Sequence, residues 1–433
     1  MTDCGRDAGG RTMLAGMLAD SHLMPIELLP AKAAEHAGAA GFTEVTVFLA
    51  DLRGEVLYPL TEDTLSGSSR DDPPLRIEGT VAGRAFQYGE VLAAGGPGRW
   101  WVPLLDGTER LGVLRVTSTH DDVRARQDID SFAALLALMI VGHRNTSDPL
   151  AELVRTEPMN IAAEMQWTIM PPRTFADGRV VISAVMEPAH SISGDVFEYA
   201  IDGPLVHLTI LDAMGHDTAA GLCGALALGA CRNARRGGAD LLATGEAVEA
   251  ALIDQYRRKR YVTGILATLD TRTGVLSWVN RGHLPPVVIR GSRWSANLSC
   301  RPAHPMGTDL GIEGTVCDEQ LQPGDRVVLY TDGITEARRA GGPEFGLARF
   351  TDFLIRHHAD GLPVPETLRR LTHAILDYHN GRLQDDATVL ICEWLGPTTG
   401  PSEQAAALTG LPEPDGHPRR SSREHDTPEG GRP

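Results

Sequence analysis

One stretch constrains this chain more than any other: LVHLTILDAMGHDTAAG, residues 205–221. Its first seven residues, rich in Leu, Ile and Val, read as a buried strand. The run stops at Asp212. Gly215, His216 and Asp217 then lead into an Ala- and Leu-rich segment that reads as a helix. A carboxylate therefore stands at a strand end, before a glycine turn that lets backbone and ligand approach. On a rigid sheet that is a good place to hold a cation. Taken alone, an Asp there more often closes a turn. Three further acidic stretches reverse the balance.

The C-terminal half alternates strands and helices. Strands are expected over 180–186, 196–201, 262–269, 275–280, 286–290, 325–330 and 387–394, and helices over 219–236, 239–256, 345–358 and 364–378. Acidic residues recur where strands begin or end: Asp195 after Ser193-Gly194, Asp212, Asp332 in Thr331-Asp332-Gly333, and the pair Asp385-Asp386. Carboxylates without His or Cys partners favour Mg²⁺ or Mn²⁺ over zinc. Crowding them is electrostatically costly unless a cation is present. Two such ions would activate a water and orient a phosphoryl group. Competing chemistries lack their residues: there is no G-x-x-x-x-G-K-[ST] loop, no H-E-x-x-H and no G-x-S-x-G.

A length of 433 residues suggests two or three domains, and 42% hydrophobic residues can supply their cores. The formal charge of -17 argues against a nucleic-acid binder and against general attraction to anionic membranes. The six cysteines (4, 223, 231, 300, 317 and 392) form no C-x-x-C pair. They read as reduced, mostly core-lining thiols of a cytoplasmic protein. The N-terminus has no signal-peptide pattern, and the longest strongly apolar stretch, 132–142, is short of the ~20 residues that span a bilayer. The Arg257-Arg258-Lys259-Arg260 run reads as a solvated helix end.

In the N-terminal half, residues 1–11 are Gly- and Asp-rich and are expected to be disordered, as is the Pro-, Gly- and Ser-rich tail 396–433. Residues 13–40 are helical in character. Strands are expected over 44–50 and 55–60 around the turn Asp51-Leu52-Arg53-Gly54. A short helix over 79–86, two strands over 100–105 and 111–117, and an apolar helix over 129–141 follow. That order resembles a GAF sensor domain, on the phrases GTVAGRAFQYGEV and WVPLLDGTERLGVLRV. Residues 146–172 link the halves, and within them 159–170 carries a helical stripe. Ile161, Met165 and Ile169 are spaced as one helical face, a natural lever or dimer seam.

In the C-terminal half SGDVFEY, LDAMGHDTAAG, RGHLPP, PMG, YTDGITEAR, FG and DDATVL follow one another in the order used by the SpoIIE/RsbU-like branch of the metal-dependent PPM protein phosphatases. The resemblance covers residues 159–394. It implies an α+β chain: a GAF-like domain over 13–145, a linker helix over 146–172 and an αββα-sandwich phosphatase domain over 173–395. It also implies serine/threonine phosphoprotein hydrolysis with two Mn²⁺ or Mg²⁺ ions, and catalytic residues Asp195, Asp212, Asp332 and Asp385. The metal ligands would be these four with the Ala213 carbonyl and Asp386. The expected substrate is a phosphorylated anti-sigma-factor antagonist. A homodimer is expected, with a small-molecule ligand at the GAF-like domain. The rival reading is a catalytically silent scaffold, or a ligand-sensing module, that retains the fold. Ser193 replaces a glycine of the family pattern, Glu198 an aspartate and Asp217 a glycine. His283, in the Gly-His-Leu-Pro loop, is expected to be structural.

Overall fold

The structure is a computed structural model that describes residues 3–66, 73–191, 194–291, 294–337, 343–360, 362–379, 383 and 385–397. The expected tail therefore lies outside the described residues from 398 onward, as does Ser193.

The N-terminal half begins with helices α1 (Asp3–Ser21) and α2 (Leu29–Ala37). Strands β1 (Phe42–Ala50) and β2 (Val56–Leu60) form the expected hairpin. Then come α3 (Glu62–Ser66), β3 (Leu75–Arg76), α4 (Val81–Tyr88), β4 (Leu92–Ala93), β5 (Arg99–Asp106), β6 (Glu109–Ser118), α5 (Val123–His143) and α6 (Asp148–Val154). The six strands make one antiparallel sheet in the order β3-β2-β1-β6-β5-β4. Side chains alternate across it. Val47 and Leu49 pack with Met13, Met17, Leu29, Phe132 and Leu136 of the helices. Phe48 points the other way, to Ala85, Phe86 and Trp101. The phrase over α4 has a local cause. Thr80 Oγ1 accepts a hydrogen bond from Gly83 N at 2.9 Å, and a Cβ on Gly83 would lie 1.6 Å from the Ile77 carbonyl oxygen.

Two expectations fail here. Residues 3–11 belong to α1 rather than to a disordered arm. The glycines that suggested disorder let α1 approach its neighbours: a Cβ on Gly9 would meet the Ala39 carbonyl at 2.5 Å, and one on Gly10 the Asp128 carboxylate at 2.3 Å. Further on, α6 places Leu150 and Leu153 in the N-terminal core, within a segment read as linker.

The connecting helix α7 spans Ile161–Ile169. Its buried residues are Ala162, Ala163 and Gln166, whereas Ile161 is 67% exposed. The expected Ile161-Met165-Ile169 stripe is thus not the packed face. Ala163, followed by Met170, packs into the C-terminal core, with Trp167 and Ile169 against it.

The C-terminal half contains β7 (Thr174–Ala176), β8 (Val180–Glu187), β9 (Asp195–Asp202), β10 (Leu205–Ala213), α8 (Thr218–Arg236), α9 (Leu241–Tyr256), β11 (Val262–Asp270), β12 (Val275–Arg281), β13 (Val287–Arg290), β14 (Trp294–Asn297), β15 (Cys317–Gln320), β16 (Arg326–Tyr330), α10 (Asp332–Thr335), α11 (Gly346–Ala359), α12 (Val364–Tyr378) and β17 (Ala387–Trp394). Two antiparallel sheets form, β15-β12-β11-β10-β9 and β14-β13-β16-β17-β8-β7. Ile182, Leu329 and Leu390 of the second sheet meet Leu208, Ile210 and Leu266 of the first, and α8 adds Cys223 and Ala227. Alternate residues Val181, Val328 and Ile391 face α11 and α12 through Phe350, Leu368 and Leu371. The layers are therefore helices, sheet, sheet, helices.

Cys300 and Cys317 form a disulfide, against the expectation that all cysteines are reduced. β15 pairs Cys317 with Trp278 at the sheet edge, and the chain between the two cysteines folds back to it. No short spacing signals such a pair. Cys223, Cys231 and Cys392 are buried free thiols, as expected. Among the described residues no helix is long and apolar enough to cross a membrane.

Candidate active site

The acidic positions come to one end of the two sheets because of register. Asp195 opens β9, and Asp212 is the penultimate residue of β10. The two stand directly opposite one another across that ladder. From the other sheet, β16 ends at Tyr330 and hands the chain to Thr331 and Asp332. β17 pairs with β16 and begins just after Asp385 and Asp386.

Hydrogen bonds lock part of this end. Gly194 N and Asp195 N donate to Asp386 Oδ2 at 2.7 and 3.3 Å. Thr331 Oγ1 donates to Asp195 Oδ2 at 2.7 Å and accepts from Thr388 N at 2.9 Å. Backbones approach closely as well. A Cβ on Gly194 would lie 2.6 Å from the Ala213 carbonyl oxygen, and one on Gly333 only 2.0 Å from that of Asp386. Sequence reasoning found the carboxylates but missed Thr331 and Thr388.

The carboxylates act on one another. Burial, then the charges of Asp212 and Asp386, hold the Asp195 carboxyl well above the usual range, against the bonds from Thr388 and Thr331. Burial, then Asp332, Asp385 and Asp386, push Asp212 up to about 7. Asp332 is raised by burial, Asp385 and Glu336. Negative charges are thus concentrated with no cationic side chain among the causes of these shifts.

Among the described residues no group of three His, Cys, Asp or Glu side chains stands in ready metal-holding geometry. Asp195 and Asp386 are engaged by the hydroxyl and amides just described. The donor chemistry nonetheless fits hard divalent cations. It consists of carboxylates in mutual repulsion, with the Ala213 carbonyl beside a glycine where a side chain would intrude.

Of the three departures from the family pattern, Glu198 and Asp217 lie among the described residues. Glu198 accepts from Arg232 Nε and Arg235 Nη2 at 2.7 and 3.0 Å, so it anchors α8 rather than joining the acidic cluster. Asp217 caps α8 by accepting from Ala220 N at 2.8 Å and receives Arg260 at 3.1 Å. These bonds hold its carboxyl below the ordinary range. His283 lies half-buried between Thr263 Oγ1 (2.8 Å) and the Tyr330 carbonyl (3.1 Å). Burial brings its pKa down to about 4, so it is a neutral tie between strands. The basic run is the exposed C-terminal end of α9, as expected: Arg257 is its C-cap and donates its amide to the Ile253 carbonyl at 2.8 Å. Arg257 and Arg258 adopt left-handed φ values of 51° and 64°, and Arg258 pairs with Asp309.

Residues 202–395 match the sequence profile of the Stage II sporulation protein E (SpoIIE) family. The C-terminal half is similar to metal-dependent protein phosphatases of the SpoIIE type. Phosphoserine phosphatase RsbU of Bacillus subtilis (strain 168) is 23% identical to this chain over 240 residues, 54% of this chain and 69% of RsbU. Protein IcfG of Synechocystis sp. is 25% identical over 132 residues, 30% of this chain and 20% of IcfG. Among solved structures, the RsbU and RsbW domains of a Mycobacterium tuberculosis protein align with a TM-score of 0.47 at 24% identity, covering 53% of this chain and 64% of that one. The phosphatase domain of SpoIIE from Bacillus subtilis, with a fragment of its regulatory domain, aligns with a TM-score of 0.42 at 20% identity, covering 50% and 63%. The SpoIIE-type profile begins inside β9 and ends just beyond β17, so it contains Asp212, Asp332, Asp385 and Asp386 and leaves Asp195 outside.

Proposed function

We propose that this chain hydrolyses phosphoserine or phosphothreonine on a signalling phosphoprotein, an anti-sigma-factor antagonist, under control of its N-terminal half. The observation that carries the reading is the convergence of Asp195 and Asp212 with Asp332, Asp385 and Asp386 at one end of the paired sheets, where their charges raise one another's pKa. Two Mn²⁺ or Mg²⁺ ions held there would activate water and orient the phosphoryl group for in-line displacement. Asp212, Asp195, Asp332, Asp385, Asp386 and the Ala213 carbonyl would hold them.

The chain's own residues do the rest. Thr331 orients Asp195 through Oδ2, and Asp386 ties the β9 start to the β17 start through two amides. His283, neutral and hydrogen-bonded on both ring nitrogens, fixes the end of β16 from which Asp332 projects. Hydrolysis then proceeds without a covalent phosphoenzyme.

The N-terminal half, residues 13–145, is read as a GAF-like sensor on its strand and helix order, with a small-molecule ligand as its signal. The stretch after α6, residues 155–172, joins it to the phosphatase domain over 173–395. The protein is read as a cytoplasmic homodimer that binds neither nucleic acid nor membrane.

The test is phosphate release from the phosphorylated antagonist and from p-nitrophenyl phosphate, with and without Mn²⁺. Mn²⁺-dependent release from both is expected. A folded protein with no release at saturating Mn²⁺ overturns the reading and leaves the scaffold.

A further inference from the structure

Among the contacts between the N-terminal half and the phosphatase domain, which include Glu78 with Arg369 and Tyr88 with Arg370, one four-residue turn, Asp51 to Gly54 between β1 and β2, makes three, each to a different element. The Leu52 carbonyl accepts from Arg173 Nη1 at 2.7 Å, just before β7. The Gly54 carbonyl accepts from Arg369 Nη1 of α12 at 3.4 Å, and Arg369 also pairs with Glu78 of the N-terminal half at 3.0 Å. Arg53 donates to Glu157 of the linker at 2.8 Å and places Nε 3.6 Å from Glu187 Oε2.

The turn is stiff. Asp51, nearly fully buried, accepts from Glu55 N and Val56 N at 2.7 and 2.8 Å. The junction around it is not close-packed, because a cavity of about 90 Å³ lies among Arg53, Arg173, Glu187 and Arg369. A rigid probe set against incomplete packing can shift without breaking either core.

Glu187 is the last residue of β8 and stands directly opposite Ala387, the first residue of β17. The residue before Ala387 is Asp386, which holds the Gly194 and Asp195 amides, and the one before that is Asp385. Glu187 Oε2 also accepts from Ala189 N at 3.0 Å, and the Ala189 carbonyl accepts from Trp167 Nε1 of α7 at 2.8 Å. The end of β8 is therefore gripped by Arg53 on one side, by the linker helix on another and by the start of β17 on the third.

We infer that Arg53 is a positioning residue for the acidic centre: by pairing with Glu187 it fixes the start of β17, and with it Asp385 and Asp386. The inference rests on the phosphatase reading. It gives the N-terminal half a physical handle on the centre, a single guanidinium pressed against the strand end beside two proposed ligands. Groups that support metal ligands from behind typically affect affinity by about 10–100-fold when removed.

The test uses the full chain at pH 8, where Glu187 is ionised. Mn²⁺ binding is measured by titration calorimetry. The Mn²⁺ concentration giving half-maximal hydrolysis of p-nitrophenyl phosphate is measured beside it. Arg53→Ala is expected to weaken Mn²⁺ binding about ten-fold, and Arg53→Lys to recover much of that loss. Glu187→Gln should weaken binding similarly, and combining it with Arg53→Ala should add little more, as expected for two ends of one interaction. An Mn²⁺ dissociation constant unchanged in both single variants, in an active wild type, overturns the inference alone. So does a lowered melting temperature with unchanged Mn²⁺ affinity, because that is mere structural support. A wild type that neither binds Mn²⁺ nor releases phosphate overturns the phosphatase reading, and this inference with it.

Discussion

Thr331 joins the two sheets of the C-terminal half by donating its hydroxyl to Asp195 Oδ2 at 2.7 Å, and the same oxygen accepts from Thr388 N. One buried hydroxyl thus links the end of β16, the start of β9 and the second residue of β17. Thr331→Val keeps the shape and removes both bonds. Stability is expected to fall by about 1–3 kcal/mol, the cost of leaving buried partners unsatisfied. The Mn²⁺ concentration needed for half-maximal activity should rise as well. Denaturant unfolding and a Mn²⁺ activation curve check the two effects separately.

Asp212→Asn should lower phosphate release by roughly 10²-fold or more, the scale of losing one central electrostatic group in an active site. In EDTA the same variant should be as stable as the wild type, or more so. The wild-type carboxyl is raised to about 7 by burial and by three like-charged neighbours, and the amide relieves that repulsion. Near-normal turnover by the folded variant would remove Asp212 from the centre.

Glu187 sets a pH dependence of stability. Burial pushes its pKa up to about 7 from 4.5, outweighing the nearby Arg53 and Arg173, and Glu55 acts in the same direction as burial. The folded state therefore holds this proton more tightly than the unfolded state. The resulting stabilisation is fully present below pH 4.5 and is lost as pH rises through 7, on the order of 3 kcal/mol in all. Glu187→Gln should flatten that fall. The difference between wild-type and variant melting curves from pH 4.5 to 8 isolates it, and parallel curves would show that Glu187 does not titrate in this window.

Asp217→Ala tests whether the aspartate in the turn after β10 is a helix cap or part of the chemistry. Loss of the bond to Ala220 N should lower the melting temperature slightly, as removing an N-cap does. Turnover should stay within a few-fold, since Asp217 is engaged by Ala220 and Arg260 rather than by the acidic centre. A collapse in turnover without unfolding would place Asp217 among the working residues.

The sequence by itself determined the strands and helices of the phosphatase domain and the carboxylates at their ends. Apolar period and the Gly and Asp punctuation are local signals, and β10 runs as read, from Leu205 to Ala213. Tertiary structure alone decided which carboxylate faces which. Strand register is set by pairing over long separations, as between Asp195 and Asp212 or Glu187 and Ala387, and no local pattern encodes it. It decided that Gly9 and Gly10 belong to a packed helix, because a glycine's missing Cβ reads as disorder until a neighbour occupies the space. It turned α7 so that small residues, rather than Ile161, meet the core. It brought Cys317 to Cys300, and Arg53 to Glu187 from 134 positions away. Each of these depends on contacts between segments remote in sequence, which exist only once the layers have packed.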